Sequence, residues 1–405
     1  MERDLHLGQL DADDLRILEG RGVLGVVGFL ATALYWPGVS GAATVPRWAA
    51  LFLIVPWLIR GDRIRDATPY LWGGAFFVVA VVSLAWTPQI LDGIGLLFWL
   101  MILAALFWYG SEIENPRPLY IGASLGVTIS SVVALFQWFG FRPVETLGPA
   151  LFAPAGLFVN PLFLGEAAAL LIVAAVAERL WWLLPGLVPA LILTQARGAT
   201  LAAAIALAIH FRGALRWMIA AAIPIGLAGI ALYLSTDYGS SERLDIWRSV
   251  IHGITPLGHG LGSFWQAYPA FDLRPFALSY PEYAHNEFLH IAFELGLPGI
   301  VLAGGFIFSL AGPLTSGRLV LIALLMEMCF AFPSHLPATA TIGLILAGYA
   351  VRDRYLLRDF VPARRVHFRG WDAGAKPADA ETSRAGVSVR SQVSRRRAVA
   401  RGVAK

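Results

Sequence analysis

Long apolar runs recur along this chain, each closed by arginine, tryptophan or Gly/Pro punctuation. A helix that crosses a bilayer needs roughly 17–25 mostly apolar residues. Runs near that length lie at residues 20–36, 46–60, 69–86, 93–110, 118–139, 161–177, 180–195, 198–211, 216–234, 289–310, 318–334 and 338–351. They predict an all-α polytopic membrane protein with about 12 transmembrane helices. The stretch 180–211 reads either as two short spans or as one longer, broken segment. The first run is no cleavable signal peptide, because acidic residues precede it and no small-residue cleavage site follows. Trp57, Trp72, Trp86, Trp108, Trp138, Trp181, Trp182 and Trp217 fall at predicted span ends, where interfacial rings belong.

Composition points the same way. The 405 residues are 57 % hydrophobic and only 14 % charged, against about 45–50 % and about 25 % for soluble domains. That excludes the two or three soluble domains that length alone would suggest. A single cysteine, Cys329, excludes a secreted disulfide scaffold. Arg60, Arg63, Arg65, Arg117, Arg179, Arg212, Arg216 and Arg318 lie in loops on one side, against Arg47, Arg142 and Arg197 on the other. The positive-inside rule therefore places the N-terminus in the cytoplasm, and an even span count brings the C-terminus there too.

The net charge of +4 divides unevenly. Residues 352–405 hold 14 Lys/Arg against 5 Asp/Glu, or +9, which leaves −5 for the body. The chain thus reads as a cytoplasmic segment 1–19, a transmembrane domain 20–351, and a basic cytoplasmic tail 352–405 expected to be disordered. A basic tail beside a membrane points to anionic lipid rather than nucleic acid.

One loop, 235–288, is about 54 residues long and lies between spans 9 and 10, outside the cytoplasm. Loops of this length are usually functional or disordered, and its many aromatic residues argue for order. The string from Ala284 to Gly299 reads as the mouth of a helix that enters the bilayer, with His285 in its first turn. A helix N-terminus disfavours a cation, so a neutral imidazole is expected there, able to act as a general base. The alternative is an interfacial histidine bonded to a loop carbonyl.

Arg197, between two apolar runs, is either a functional charge at membrane depth or a snorkelling anchor; Gly198 is expected to turn the chain. Around Arg243, the residues Leu244, Trp247 and Ile251 recur at helical spacing, which predicts a short amphipathic helix. Arg243 and Arg248 lie off that stripe, where a solvated face is the plain alternative. The glycine run Pro256 to Phe264 is a weak phosphate-cradle signal, since no strand precedes it. Asp11 and Asp13 suggest a metal pair only superficially, and no histidines stand at zinc spacing. Glu166, Glu294 and Glu327 are ionisable groups within predicted spans.

Together these strings resemble the O-antigen ligase and O-antigen polymerase superfamily of bacterial inner membranes. His285-Asn286, nine residues, then Gly296-Leu297-Pro298-Gly299 fits the family's histidine-asparagine motif. Arg197-Gly198 fits its Arg-Gly pair, although Ala196 stands where a serine is usual. Arg243, Trp247 and the Pro256–Phe264 run fit its loop pattern with one glycine offset, and Gly156-Leu-Phe158-Val-Asn160-Pro161 fits a turn motif.

The resemblance implies a C-type-like glycosyltransferase working on the periplasmic face without metal or nucleotide cofactor. Its donor would be a glycan on undecaprenyl pyrophosphate. Its acceptor would be a sugar hydroxyl on lipid A-core for a ligase, or on a growing lipid-linked glycan for an O-antigen or exopolysaccharide polymerase. In that reading His285, Arg197 and Arg243 are catalytic, and Arg248, Asn286 and Asn160 bind substrate. The competing class is a polysaccharide transporter or flippase. The outward long loop after span 9 and the absence of an evident internal repeat weigh against it.

Overall fold

The computed structural model describes residues 12–37, 42–55, 67–141, 154–211, 240–274 and 280–360. The expected span 216–234, the arginines at 60, 63, 65, 142, 212 and 216, and the tail beyond Phe360 lie outside the described residues. Among those described, the chain is helical and holds no strand. Twelve helices follow in order: α1 (Ala12–Ala33), α2 (Thr44–Ile54), α3 (Ala67–Ser83), α4 (Ile90–Glu112), α5 (Arg117–Trp138), α6 (Pro161–Ala177), α7 (Leu184–Thr194), α8 (Arg197–His210), α9 (Ser240–Gly253), α10 (Glu287–Ser309), α11 (Ser316–Met328) and α12 (Pro337–Phe360), besides a short helix at Phe264–Ala267 and several 3₁₀ turns.

Three of them, α4, α5 and α10, are long and apolar enough to cross a membrane. The other expected spans that fall within the described residues are helices too, mostly shorter. The ambiguous 180–211 stretch is two short helices, α7 and α8, and α12 runs past the expected boundary at 351 to Phe360.

The bundle is organised around α6. Every residue from Leu164 to Val176 is buried, as expected of a helix that is apolar all round. Small residues set the closest approaches. A Cβ at Gly122 would land on the Gly25 carbonyl, and one at Gly126 on the Thr32 hydroxyl, so α1 and α5 cross with almost no side chain between them. This is the small-xxx-small logic of membrane helix pairs. Thr32 adds a hydrogen bond from its hydroxyl to the Ala123 carbonyl at 3.2 Å. Gly110 and Gly348 do the same for α4 against α12.

Two arginines counted as loop charges are structural clasps. Arg47 is 2 % exposed; it donates to the Leu34 and Leu157 carbonyls at 2.9 and 3.1 Å and lies over the Phe158 ring. Arg318 donates to the carbonyls of Leu310, Pro313 and Ala350, tying the start of α11 to α12.

Two breaks shape the region of loop 235–288. The first is in α10, where Gly296 has φ 63 and ψ −154 and the helix kinks. A break of this kind frees carbonyls that must find other donors. They find them in the glycine run: His259 N–H donates to Phe293 O at 3.0 Å and Gly260 N–H to Glu294 O at 2.8 Å, while Leu297 N–H returns to Pro256 O at 3.0 Å. Gly262 and Phe264 then donate their N–H groups to the Glu294 carboxylate at 3.1 and 3.0 Å. Residues 256–264 are thus a strap docked into the kink. Their amides are consumed there, which removes the phosphate-cradle reading. The second break is Cys329–Leu336, where one span was expected to run to 334 but α11 stops at Met328.

Replacing Glu294 by alanine deletes two hydrogen bonds of about 1 kcal/mol net each. The expected result is a loss of about 2 kcal/mol and faster hydrogen exchange at the Gly262 and Phe264 amides than at the amides of α6.

Candidate functional site

The sequence strings converge on the second break. Asn286 caps α10, its Oδ1 accepting from Leu289 N–H at 3.0 Å, while its Nδ2 donates to the Cys329 carbonyl at 3.0 Å. Arg243 Nη1 donates to the next carbonyl, Phe330, at 3.3 Å. The His285 ring packs against Phe332 with centroids 5.4 Å apart. A Cβ at Gly198 would meet the Phe330 Cβ at 3.3 Å, so the Arg197-Gly198 corner leans on the same segment. Residues Cys329–Phe332 therefore form a platform touched by three separated pieces of chain.

His285 precedes the cap rather than sitting in the first turn of α10, which begins at Glu287. Its φ of 51 lies in the left-handed region, uncommon for a non-glycine residue and typical of over-determined sites. The restraints lie on both sides: Trp247 Nε1 donates to the Ala284 carbonyl at 3.0 Å, and Asn286 is held as above. Burial, and then the neighbouring charge of Arg243, lower the His285 pKa to about 4. The imidazole is neutral as expected, but because of desolvation and a nearby cation rather than the helix dipole.

The amphipathic face of α9 differs from the expected one. Ile246 and Val250 are buried, whereas Leu244 and Ile251 are 43 % and 58 % exposed. Arg243 lies on the inward face beside them, so the residue thought to be off the stripe belongs to it. Hydropathy could not assign an arginine to a buried face; the local signal was the i, i+3, i+7 spacing of Arg243, Ile246 and Val250. Ile246 and Val250 pack with Phe264, Tyr268, Ala284 and Phe293 in a small core of their own, which anchors α9 to α10.

The other candidate side chains make different contacts. Arg248 is exposed and pairs with Asp245 at 3.0 Å within α9. Asn160 is the N-cap of α6, accepting from Leu162 N–H at 2.9 Å. Arg197 is exposed at the start of α8. The turn before it is made by Gln195, with φ 52, and Gly198 contributes close packing instead.

Two features lay beyond the sequence reading. A pocket of about 20 Å³ beside Arg243 is lined by Leu162, Glu166, Ala196, Gly198, Glu327 and Phe330, among others. On the other side of the break lies a cluster of Glu287, His290, Glu294, Ser334 and His335. Ser334 Oγ donates to Glu287 Oε1, His335 Nδ1 lies 3.3 Å from the same oxygen, and the His335 ring stacks on Trp99 at 4.5 Å. This cluster borders an apolar cavity of about 1120 Å³ between α3, α4, α10, α11 and α12. Prolines 333 and 337 flank the break, which the expected spans placed at 335–337.

Replacing Arg243 by glutamine removes the second cause of the His285 shift, so the His285 pKa, followed by NMR of ring-labelled protein in detergent, should rise from about 4 toward its ordinary 6.5. An unchanged value would leave burial as the sole cause.

Residues 182–304 match the O-antigen ligase family, a stretch that includes Arg197, Arg243, the strap, His285 and Asn286. No curated protein matches the chain. Over residues 182–304, the chain is thus similar to the O-antigen ligase family.

Proposed function

We propose that the protein transfers a glycan from undecaprenyl pyrophosphate to an acceptor sugar hydroxyl, on the periplasmic face of a bacterial inner membrane and with inversion. The observation that carries this reading is the joint placement of Arg243 and the neutral, restrained His285 on the Cys329–Phe332 platform. His285 would accept the proton of the acceptor hydroxyl as that oxygen attacks the anomeric carbon. The leaving pyrophosphate gathers negative charge as the glycosidic bond breaks, and a preorganised guanidinium in a dry site stabilises such charge well. Arg243 is suited to that role, with Arg197 at the rim as a second cation. Pyrophosphate is a weak base, so no general acid is needed. The apolar cavity beside α10 is suited to the polyprenyl chain; its volume exceeds the usual small-ligand range of about 300–1,000 Å³. A ligase and a polymerase would share this chemistry and differ in acceptor.

A base held near pKa 4 is weak at neutral pH. Donor binding would correct this, because the pyrophosphate offsets the Arg243 charge that lowers His285. The acid limb of kcat/KM, which reports the free enzyme, should therefore lie at lower pH than the limb of kcat, which reports the donor complex. Coincident limbs would remove donor-assisted activation of the base.

His285→Ala should lower transfer by about 10²–10⁴-fold at unchanged expression, and transfer should persist in a chelator. Strict dependence on a divalent metal would overturn the mechanism. In a deletion strain, accumulation of long lipid-linked chains would indicate a ligase, and single capped repeats a polymerase.

A further inference from the structure

Beneath Arg243 lie two carboxylates that the reaction above does not use. Glu166 comes from α6 and Glu327 from the last turn of α11; they are 5 % and 1 % exposed. Both line the small pocket with Arg243. Glu166 Oε2 and both oxygens of Glu327 are buried without a hydrogen-bond partner among the described residues. The charge of Arg243 acts on Glu166, and the two carboxyl groups act on one another.

Charge balance limits what this trio can be. Two ionised carboxylates in one dry pocket repel, and an unpaired guanidinium held by a single carbonyl would be equally costly. One proton shared between Glu166 and Glu327 leaves one negative charge against one positive charge. The pocket volume of about 20 Å³ is enough for one water, which needs two to four polar partners, and the three unpartnered oxygens and the guanidinium can supply them.

We propose that Glu166 and Glu327 act as a one-proton carboxylate pair that positions Arg243, holding its guanidinium against the Phe330 carbonyl and toward the leaving pyrophosphate. They are positioning residues; neither touches substrate. The role in transfer rests on the function proposed above, whereas the hold on Arg243 does not.

The pair makes an unusual mutational prediction. A single glutamine stands in for the protonated member, so Glu166→Gln and Glu327→Gln should each keep transfer within about 5-fold of wild type, whereas the double variant should lose about 100-fold, the scale of a removed charge stabiliser. In an Arg243→Gln background the double glutamine change should cost less than about 3-fold more, because the residue it positions is gone. A merely structural role would give additive losses there.

Thermal unfolding of the full chain in detergent supplies a readout that needs no activity. Arg243→Gln alone should lower Tm, and adding Glu166→Gln and Glu327→Gln to it should restore part of that loss. Additive Tm losses, single variants as inactive as the double, or an unaffected double variant would each overturn the proposal. If wild-type protein transfers no glycan, the functional reading fails and the Tm cycle alone decides the positioning claim.

Discussion

Backbone hydrogen bonds broken in an apolar surround must be remade, and this requirement organises the part of the molecule that carries its candidate chemistry. Bulk water does not reach a freed carbonyl inside a helical membrane bundle, so protein groups or ordered waters must pair it. The kink at Gly296 is tolerated because the strap brings the N–H groups of His259 and Gly260 to the carbonyls that the kink releases. The break after Met328 is tolerated because Asn286 and Arg243 take the Cys329 and Phe330 carbonyls. In both cases the repair is made by residues of the loop or its junction with α10, so loop and bundle cannot be specified separately.

This coupling explains why the site is built as it is. A continuous α11–α12 span would present no free carbonyl to Arg243 and no turn to His285. The discontinuity creates a platform, and the platform fixes two candidate functional groups that are 42 residues apart in sequence. The same discontinuity separates two polar clusters. On one side Arg243 faces Glu166 and Glu327; on the other Glu287, Ser334 and His335 border the large apolar cavity.

Helical class and most helix positions were legible in hydropathy alone, because burial in lipid or in a bundle imposes the same apolar runs. The histidine-asparagine string and the Arg-Gly corner were legible as motifs. What escaped was any feature that depends on a partner from elsewhere in the chain. The expected spans 318–334 and 338–351 part only at 335–337, because Cys329–Phe332 is as apolar as the helix before it, yet α11 stops at Met328. Arg243 was set aside from the α9 stripe because a stripe scored on hydropathy excludes arginine by construction. Asn286 and Asn160 carry the local N-cap signature, which competes with a substrate-binding reading of the same residues.

The strap has a temporal consequence. Residues 256–264 are synthesised ahead of α10, so the donors that the kink requires already exist when the helix emerges from the ribosome. The first half of α10, with Glu287, His290 and Glu294 on it, is a poor candidate for independent partitioning into lipid. Its integration is better described as docking onto a pre-made splint than as insertion of a lone hydrophobic segment. Biogenesis of this region should then be as sensitive to the glycines of the strap as to the hydropathy of the helix they serve.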